Sequence, residues 1–144
     1  TELDNELGEL IRKEGSEFGA TTGRPRRCGW IDLVALKYTC MINGVTKVIM
    51  TKADVLDSFS DLNVCTAYGI DGKLSHQVPF GISRVKIEPH YQPFKGWHCD
   101  TTQIKSAENV PNDMTTYIDF INKYIGAPVK FVSNGPGREQ IISL

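Results

Sequence analysis

A short run rich in β-branched side chains, Val45-Thr46-Lys47-Val48-Ile49-Met50, is set off by Asn43-Gly44 and delivers Thr51-Lys52-Ala53-Asp54 at its end. Such residues favour extended backbone, and a turn pair in front marks the start, so the run is expected to be a strand. Open α/β sheets collect ligands in the loops beyond the carboxyl ends of their strands. A Lys-x-Asp stands at that point here. On spacing alone it reads equally as an exposed ion pair at a strand end.

The rest of the chain reads as one mixed domain, residues 1–144, without internal repeat or low-complexity linker. Leu3, Leu7, Leu10 and Ile11 recur at helical spacing up to Gly15, predicting a short amphipathic helix. Ile31, Ala35, Tyr38 and Ile42 stripe a second, with Asp32 in its first turn and Gly44 past its end. Val64 to Tyr68 predicts a strand closed by a hairpin turn at Asp71-Gly72. From Leu74 to Thr102 the chain carries Pro79, Pro89 and Pro93, so irregular structure with short strands is expected. A third helix, capped by Asn112 or Asp113, carries Met114, Tyr117, Ile118, Ile121 and Ile125 on one face and stops at Gly126 and Pro128. Val129 to Val132 is then a strand that delivers Ser133-Asn134-Gly135 to a loop, and Gln140 to Leu144 a last strand. The loops after Met50 and Val132 are expected to line one crevice.

Between the first two helices lies Gly19-Ala20-Thr21-Thr22-Gly23-Arg24-Pro25-Arg26-Arg27. Two glycine-flanked threonines offer hydroxyls and backbone N–H groups, and three guanidiniums offer bidentate donors for carboxylate or phosphate. Pro25 stiffens the run, and Gly23 permits a ligand to approach the backbone. An anion clamp is the favoured reading over a solvated basic loop. As for Lys52 and Asp54, a carboxylate can accept from the N1 and N2 donors of guanine while a lysine stem covers the flat face of the base. Adenine presents no such donor pair.

Composition narrows the partners. At 40% hydrophobic and 23% charged residues, the 144-residue chain has the makeup and length of a globular domain with one core. A net charge of -1 gives no basic field for nucleic acid, so a nucleotide is a better ligand than a polymer. No apolar stretch reaches membrane-spanning length and the amino terminus is acidic, so a cytoplasmic location is expected. Cys28, Cys40, Cys65 and Cys99 form no C-x-x-C pair and are expected to be reduced, partly buried small hydrophobes. His90 and His98 flank an aromatic stretch without a third ligand at helical spacing, which favours loop histidines over a metal site, and Trp97 is expected as a core or interface anchor.

The run GATTGRPRRCGWIDLVALKY, then VIMTKADVLD, then SNGPGRE resembles the carboxyl-terminal part of the adenylosuccinate synthetases over nearly the whole chain. The resemblance implies an α/β fold, part of a P-loop-type nucleotide-binding sheet with flanking helices. It implies that Ala20, Thr21, Thr22, Gly23, Arg24, Pro25 and Arg26 form the loop that closes on L-aspartate. Arg24 also reaches inosine monophosphate (IMP), and Arg26 the GTP site. Lys52, Ala53 and Asp54 with Ser133, Asn134 and Gly135 contact guanine; Pro25 and Asn134 sit where family members can differ. The implied chemistry joins IMP and aspartate at the expense of GTP in a homodimeric enzyme that uses Mg2+.

The glycine-rich phosphate loop, catalytic aspartate and catalytic histidine of that family have no counterpart here. Gly72-Lys73 is followed by Leu74 without an upstream glycine, and Gly135-Pro136-Gly137 continues to Gln140 where a dinucleotide fingerprint needs glycine. No catalytic residue and no magnesium ligand is therefore expected in this chain. A regulatory GTPase and a non-catalytic guanine-nucleotide-binding or interaction domain are the competing readings; the first leaves the arginine loop unexplained.

Overall fold

The computed structural model describes residues 1–144, which form a mixed α/β structure of two sheets and three helices around a shared core. Helix α1 (Glu6–Glu14) begins at Asn5, whose side chain accepts from Gly8 N at 3.1 Å. Strand β1 (Ile31–Asp32) leads directly into α2 (Leu33–Ile42), with Asp32 as the cap: its carboxylate accepts from Ala35 N at 3.0 Å. The residues expected on the inner face of α2 are displaced. Leu33, Val34 and Cys40 are buried, whereas Tyr38 and Ile42 face outward. Ile31 is taken into β1, and the helix is apolar nearly all round, so periodicity does not select its inner side.

Strand β2 spans Val48–Met50, shorter than expected because Val45 N still bonds Cys40 O at 2.9 Å as part of the helix end. A 3-10 turn, Ala53–Leu56, follows the tetrad. Strand β3 (Asp61–Ile70) turns at Asp71-Gly72, both at positive φ, into β4 (Lys73–Ser75), which is the hairpin expected. Residues 76–87 are irregular apart from a 3-10 turn at Ile82–Arg84, but Glu88–Lys95 form an eight-residue strand, β5, paired antiparallel along β3. The expectation of only short strands through the prolines is corrected. β5 has a neighbour on one side only, and an edge strand tolerates residues without an N–H. His90 consequently lies in a strand and not in a loop.

After a 3-10 turn at Ala107–Asn109, helix α3 (Asn112–Ile125) buries all five residues expected on its face. Its cap is Pro111, without a side-chain bond, so Asn112 and Asp113 lie inside the first turn. Gly126, at φ 75, closes the helix in the left-handed conformation that glycine adopts at no cost. Strands β6 (Val129–Ser133) and β7 (Ile141–Ser143) complete the chain. One sheet is centred on β3, with β5 along one side and β1 and β4 on the other; the second has the order β2-β6-β7. Met114, Tyr117, Ile118 and Ile121 of α3 pack in one core with Leu62 and Val64 of β3 and with Val129, Val132 and Ile142 of the second sheet. Trp97 joins this core, as expected of an anchor. Cys40 and Cys65 are buried and Cys28 partly so, whereas Cys99 is exposed; burial pushes the Cys65 thiol up to about 11.

Candidate functional site

β2 runs parallel to β6 with Met50 beside Val132, so the segments 51–54 and 133–135 leave the sheet side by side at its carboxyl edge. This is the place where helix and strand dipoles and free loop backbone are available to a ligand. Lys52 takes a left-handed backbone (φ 59) and precedes the 3-10 turn, which the buried Ala53 opens and Asp54 continues. The Asp54 carboxylate is half-buried, and its Oδ1 has no hydrogen-bond partner. Burial, ahead of its other influences, pushes its carboxyl above the usual range; its own backbone N–H and Lys52 pull the other way. A carboxylate held in this state is an acceptor in need of a donor.

The second loop is arranged differently from expectation. Ser133 Oγ donates to Gly135 O at 3.1 Å, and Asn134 is wholly buried. Its amide donates to Thr101 O and to Ile104 O, the latter at 3.0 Å, while its backbone N donates to Gln140 O at 3.1 Å. The Asn134 side chain therefore faces the protein and fixes the loop, and Ser133 and Gly135 on either side of it are partly exposed. Gly135 lies against the Gln140 side chain in this loop. A Cβ there would lie 2.4 Å from the Gln140 side chain, which itself accepts from Gly137 N at 2.8 Å.

Two residues not singled out by sequence hold the loops together. The Asp57 carboxylate accepts from Trp97 Nε1 and from Thr101 N, each at 2.7 Å, and from Thr101 Oγ1 at 3.0 Å. Thr101, fully buried, passes its carbonyl to Asn134. The turn after β2 and the loop after β6 are thus joined through Asp57, Thr101 and Asn134. Partners separated by 44 residues, as Asp57 and Thr101 are, leave no local spacing signal.

The basic segment is a hairpin finger. Arg26 N bonds Glu17 O at 3.0 Å, Phe18 faces Pro25, Gly19 N bonds Arg24 O at 2.8 Å, and Gly23 N bonds Gly19 O at 2.8 Å. Ala20, Thr21, Thr22 and Gly23 form an exposed tip. Thr22 Oγ1 accepts from Arg24 N at 3.4 Å, and Gly23 is left-handed at φ 67 with open space around it. Of the three guanidiniums, Arg26 pairs with Glu17 at 2.8 Å and Arg27 with Glu2, and Arg24 alone has no ionic partner. Glu17 also receives Lys52 Nζ, which donates in addition to Gly15 O at 2.6 Å. Finger base and tetrad therefore touch. A cavity of about 260 Å³ lies between them, lined by Glu17, Trp30, Lys52 and Tyr117 among others.

A cleft of about 840 Å³ lies elsewhere, between α2, His76–Val78 and the end of α3. Gly44, Val45 and Gly126 place it at the amino ends of β2 and β6, away from every expected site residue. Sheet geometry favours the opposite edge. No group of three His, Cys, Asp or Glu side chains is placed to hold a metal ion.

A family model described as adenylosuccinate synthetase matches residues 1–142. The adenylosuccinate synthetase of Salinibacter ruber is 46% identical over 144 residues, covering 99% of this chain and 33% of that protein. The one from Christiangramia forsetii is 50% identical over 143 residues, covering 99% and 34% respectively. The fully ligated adenylosuccinate synthetase of Plasmodium falciparum superposes with a TM-score of 0.93 at 34% identity, covering all of this chain and 35% of that one. The chain spans about a third of the length of these relatives. With the match running across both sheets and through finger, tetrad and second loop, the chain belongs to the adenylosuccinate synthetase family.

Proposed function

We propose that this chain is the carboxyl-terminal part of an IMP–aspartate ligase that forms GDP, and that it supplies the binding groups for aspartate and guanine. In the complete enzyme GTP phosphorylates the 6-oxygen of IMP, and the aspartate amino group then displaces that phosphate to give adenylosuccinate, GDP and inorganic phosphate. Thr21, Thr22 and Arg24 at the finger hold the aspartate carboxylates, and Arg24 reaches IMP. Lys52 and Asp54, with the backbone of Ser133, Asn134 and Gly135, hold guanine, and Arg26 lies on the GTP side of the finger. Their work is orientation and charge neutralisation, which lowers the barrier without proton transfer from this chain. Magnesium supplies charge compensation on the phosphates and takes its ligands from the rest of the enzyme, a cytoplasmic homodimer. No helix of this chain is long and apolar enough to cross a membrane.

The observation that supports this reading best is the parallel register of Met50 with Val132 together with the unpartnered Asp54 Oδ1 beside it. The test replaces Asp54 with asparagine in a complete enzyme containing this segment and compares catalytic efficiencies for GTP and xanthosine triphosphate. Asparagine sets an amide donor against guanine's own donors but suits the carbonyl that xanthine carries in place of the amino group. The preference for GTP is expected to fall by about tenfold to a hundredfold, the range of one charge-assisted hydrogen bond. An unchanged ratio means that Asp54 does not read the base.

A further inference from the structure

Glu17 stands where the finger meets the tetrad, and it is the only carboxylate in the chain that holds two cations. One oxygen accepts from Arg26 Nη1 at 2.8 Å and the other from Lys52 Nζ. Its backbone is fixed at both ends, with Glu17 N on Arg12 O at 2.8 Å and Glu17 O on Arg26 N at 3.0 Å. The side chain is 23% exposed, so the pairs are partly shielded from solvent. The two cations, Lys52 first, hold its carboxyl below the usual range. Lys52 is in turn fixed by a left-handed backbone and by its bond to Gly15 O, immediately before the finger. Lys52 is thereby joined to Gly15 and Glu17 on one strand of the finger and, through Glu17, to Arg26 on the other.

We propose that Glu17 is a positioning residue that couples occupancy of the guanine pocket to the setting of the aspartate-binding finger, acting through Lys52 and Arg26. The inference rests on the assignment of guanine to the tetrad and of aspartate to the finger. A base lying along the Lys52 stem fixes the ammonium against Glu17. Glu17 then holds the finger base, so that Arg24 and the threonines are presented in one orientation. Aspartate on the finger favours the same setting of Lys52, because coupling between two sites is reciprocal. A purely structural ion pair at this exposure adds a little stability and no linkage between ligands.

The experiment uses the complete enzyme with this segment and four forms: parent, Glu17→Gln, Lys52→Met and the double variant. The dissociation constant of a non-hydrolysable GTP analogue is measured, in the presence of IMP, with and without saturating L-aspartate. In the parent, aspartate is expected to tighten the analogue by about fivefold or more, the lower range of ordinary coupling. In Glu17→Gln the ratio is expected to fall to within about twofold of unity, and the double variant should match Lys52→Met alone, since residues in one network do not add. A ratio in Glu17→Gln equal to the parent's, no coupling in the parent, or additive effects in the double variant would each overturn the proposal. If Glu17→Gln does not fold, Lys52→Met carries the test: loss of coupling supports it and retention overturns it. Asp54→Asn and Arg24→Leu serve as controls. If these leave guanine preference and aspartate use unaltered, the site assignment itself fails and the inference with it; if they act as expected while Glu17→Gln keeps its coupling, the Glu17 role alone is wrong.

Discussion

Arg24 is the one guanidinium of the finger that no carboxylate of the chain engages, whereas Arg26 and Arg27 are held by Glu17 and Glu2. A charge free of internal partners and set beside an exposed hydroxyl tip is available to an incoming carboxylate. Arg24→Leu in the complete enzyme should therefore weaken aspartate use by about 1.5–3 kcal/mol, roughly tenfold to a hundredfold in kcat/KM for aspartate. An unaltered value would return the finger to a solvated surface. Asp54 carries the opposite kind of signal, a half-buried carboxylate with an unpartnered oxygen and a carboxyl pushed up by burial. Between its ordinary and its raised value the folded state binds more protons than the unfolded state, so this group costs stability as pH rises through that window. Asp54→Asn should thus raise the melting temperature at neutral pH while giving no gain at pH 3, with the function of the site lost in exchange. A lower melting point of the variant at neutral pH would show that the carboxylate is satisfied in the fold. Glu17 titrates in the other sense. Its lowered carboxyl contributes stability above the ordinary glutamate range, which is lost as pH falls through the folded value. The carboxyl-carbon NMR titration of Glu17 should accordingly have a midpoint below that of an unperturbed glutamate, and a midpoint at or above it would dissolve the Lys52–Glu17–Arg26 contact.

Among the elements, the joint between the two strand-end loops is carried by Asp57, which satisfies the Trp97 indole N–H and both the amide and hydroxyl of Thr101. Asp57→Ala leaves those donors buried without a partner. The expected loss is about 3 kcal/mol of stability, read as a shift in the denaturant midpoint, and the KM for GTP should rise with it because Thr101 anchors Asn134. A neutral effect on both would show the joint to be redundant. This element also marks the limit of what the sequence discloses. Helix α3 was legible because Met114, Tyr117, Ile118, Ile121 and Ile125 repeat with helical period and Gly126 stops them. The β3–β4 hairpin was legible from Asp71-Gly72. The inner face of α2 was not, because Tyr38 and Met41 are apolar on the outside of a helix whose inside is apolar too. Strand β5 was hidden by Pro89 and Pro93, whose tolerance depends on a long-range fact, that the strand has one neighbour only. The finger, the tetrad and the second loop were visible as motifs. That Asn134 points inward, that Glu17 joins two of the motifs and that Arg26 is already paired depend on contacts between distant segments, which no local pattern records.

At the scale of the whole molecule, α3 binds two sheets into one core, and the edge formed by β2 and β6 carries Lys52, Asp54 and the loop at 133–135. Asp54, with its unpartnered Oδ1, lies at that edge, and Arg24, without an ionic partner, lies on the finger. β2 has a neighbour on one side only, and Ile49 beside it is 60% exposed, opposite Phe131 at 41%. The 144-residue chain by itself should form no adenylosuccinate from GTP, IMP, aspartate and magnesium, because each step needs groups that bind the transferring phosphate and move a proton in addition to the orientation this chain supplies. The measurement is adenylosuccinate formation by the purified chain at substrate concentrations saturating for a complete synthetase. Turnover above the uncatalysed background, retained after repurification and abolished by Arg24→Leu, would mean that this third of the enzyme contains a catalytic apparatus that neither its motifs nor its geometry reveal.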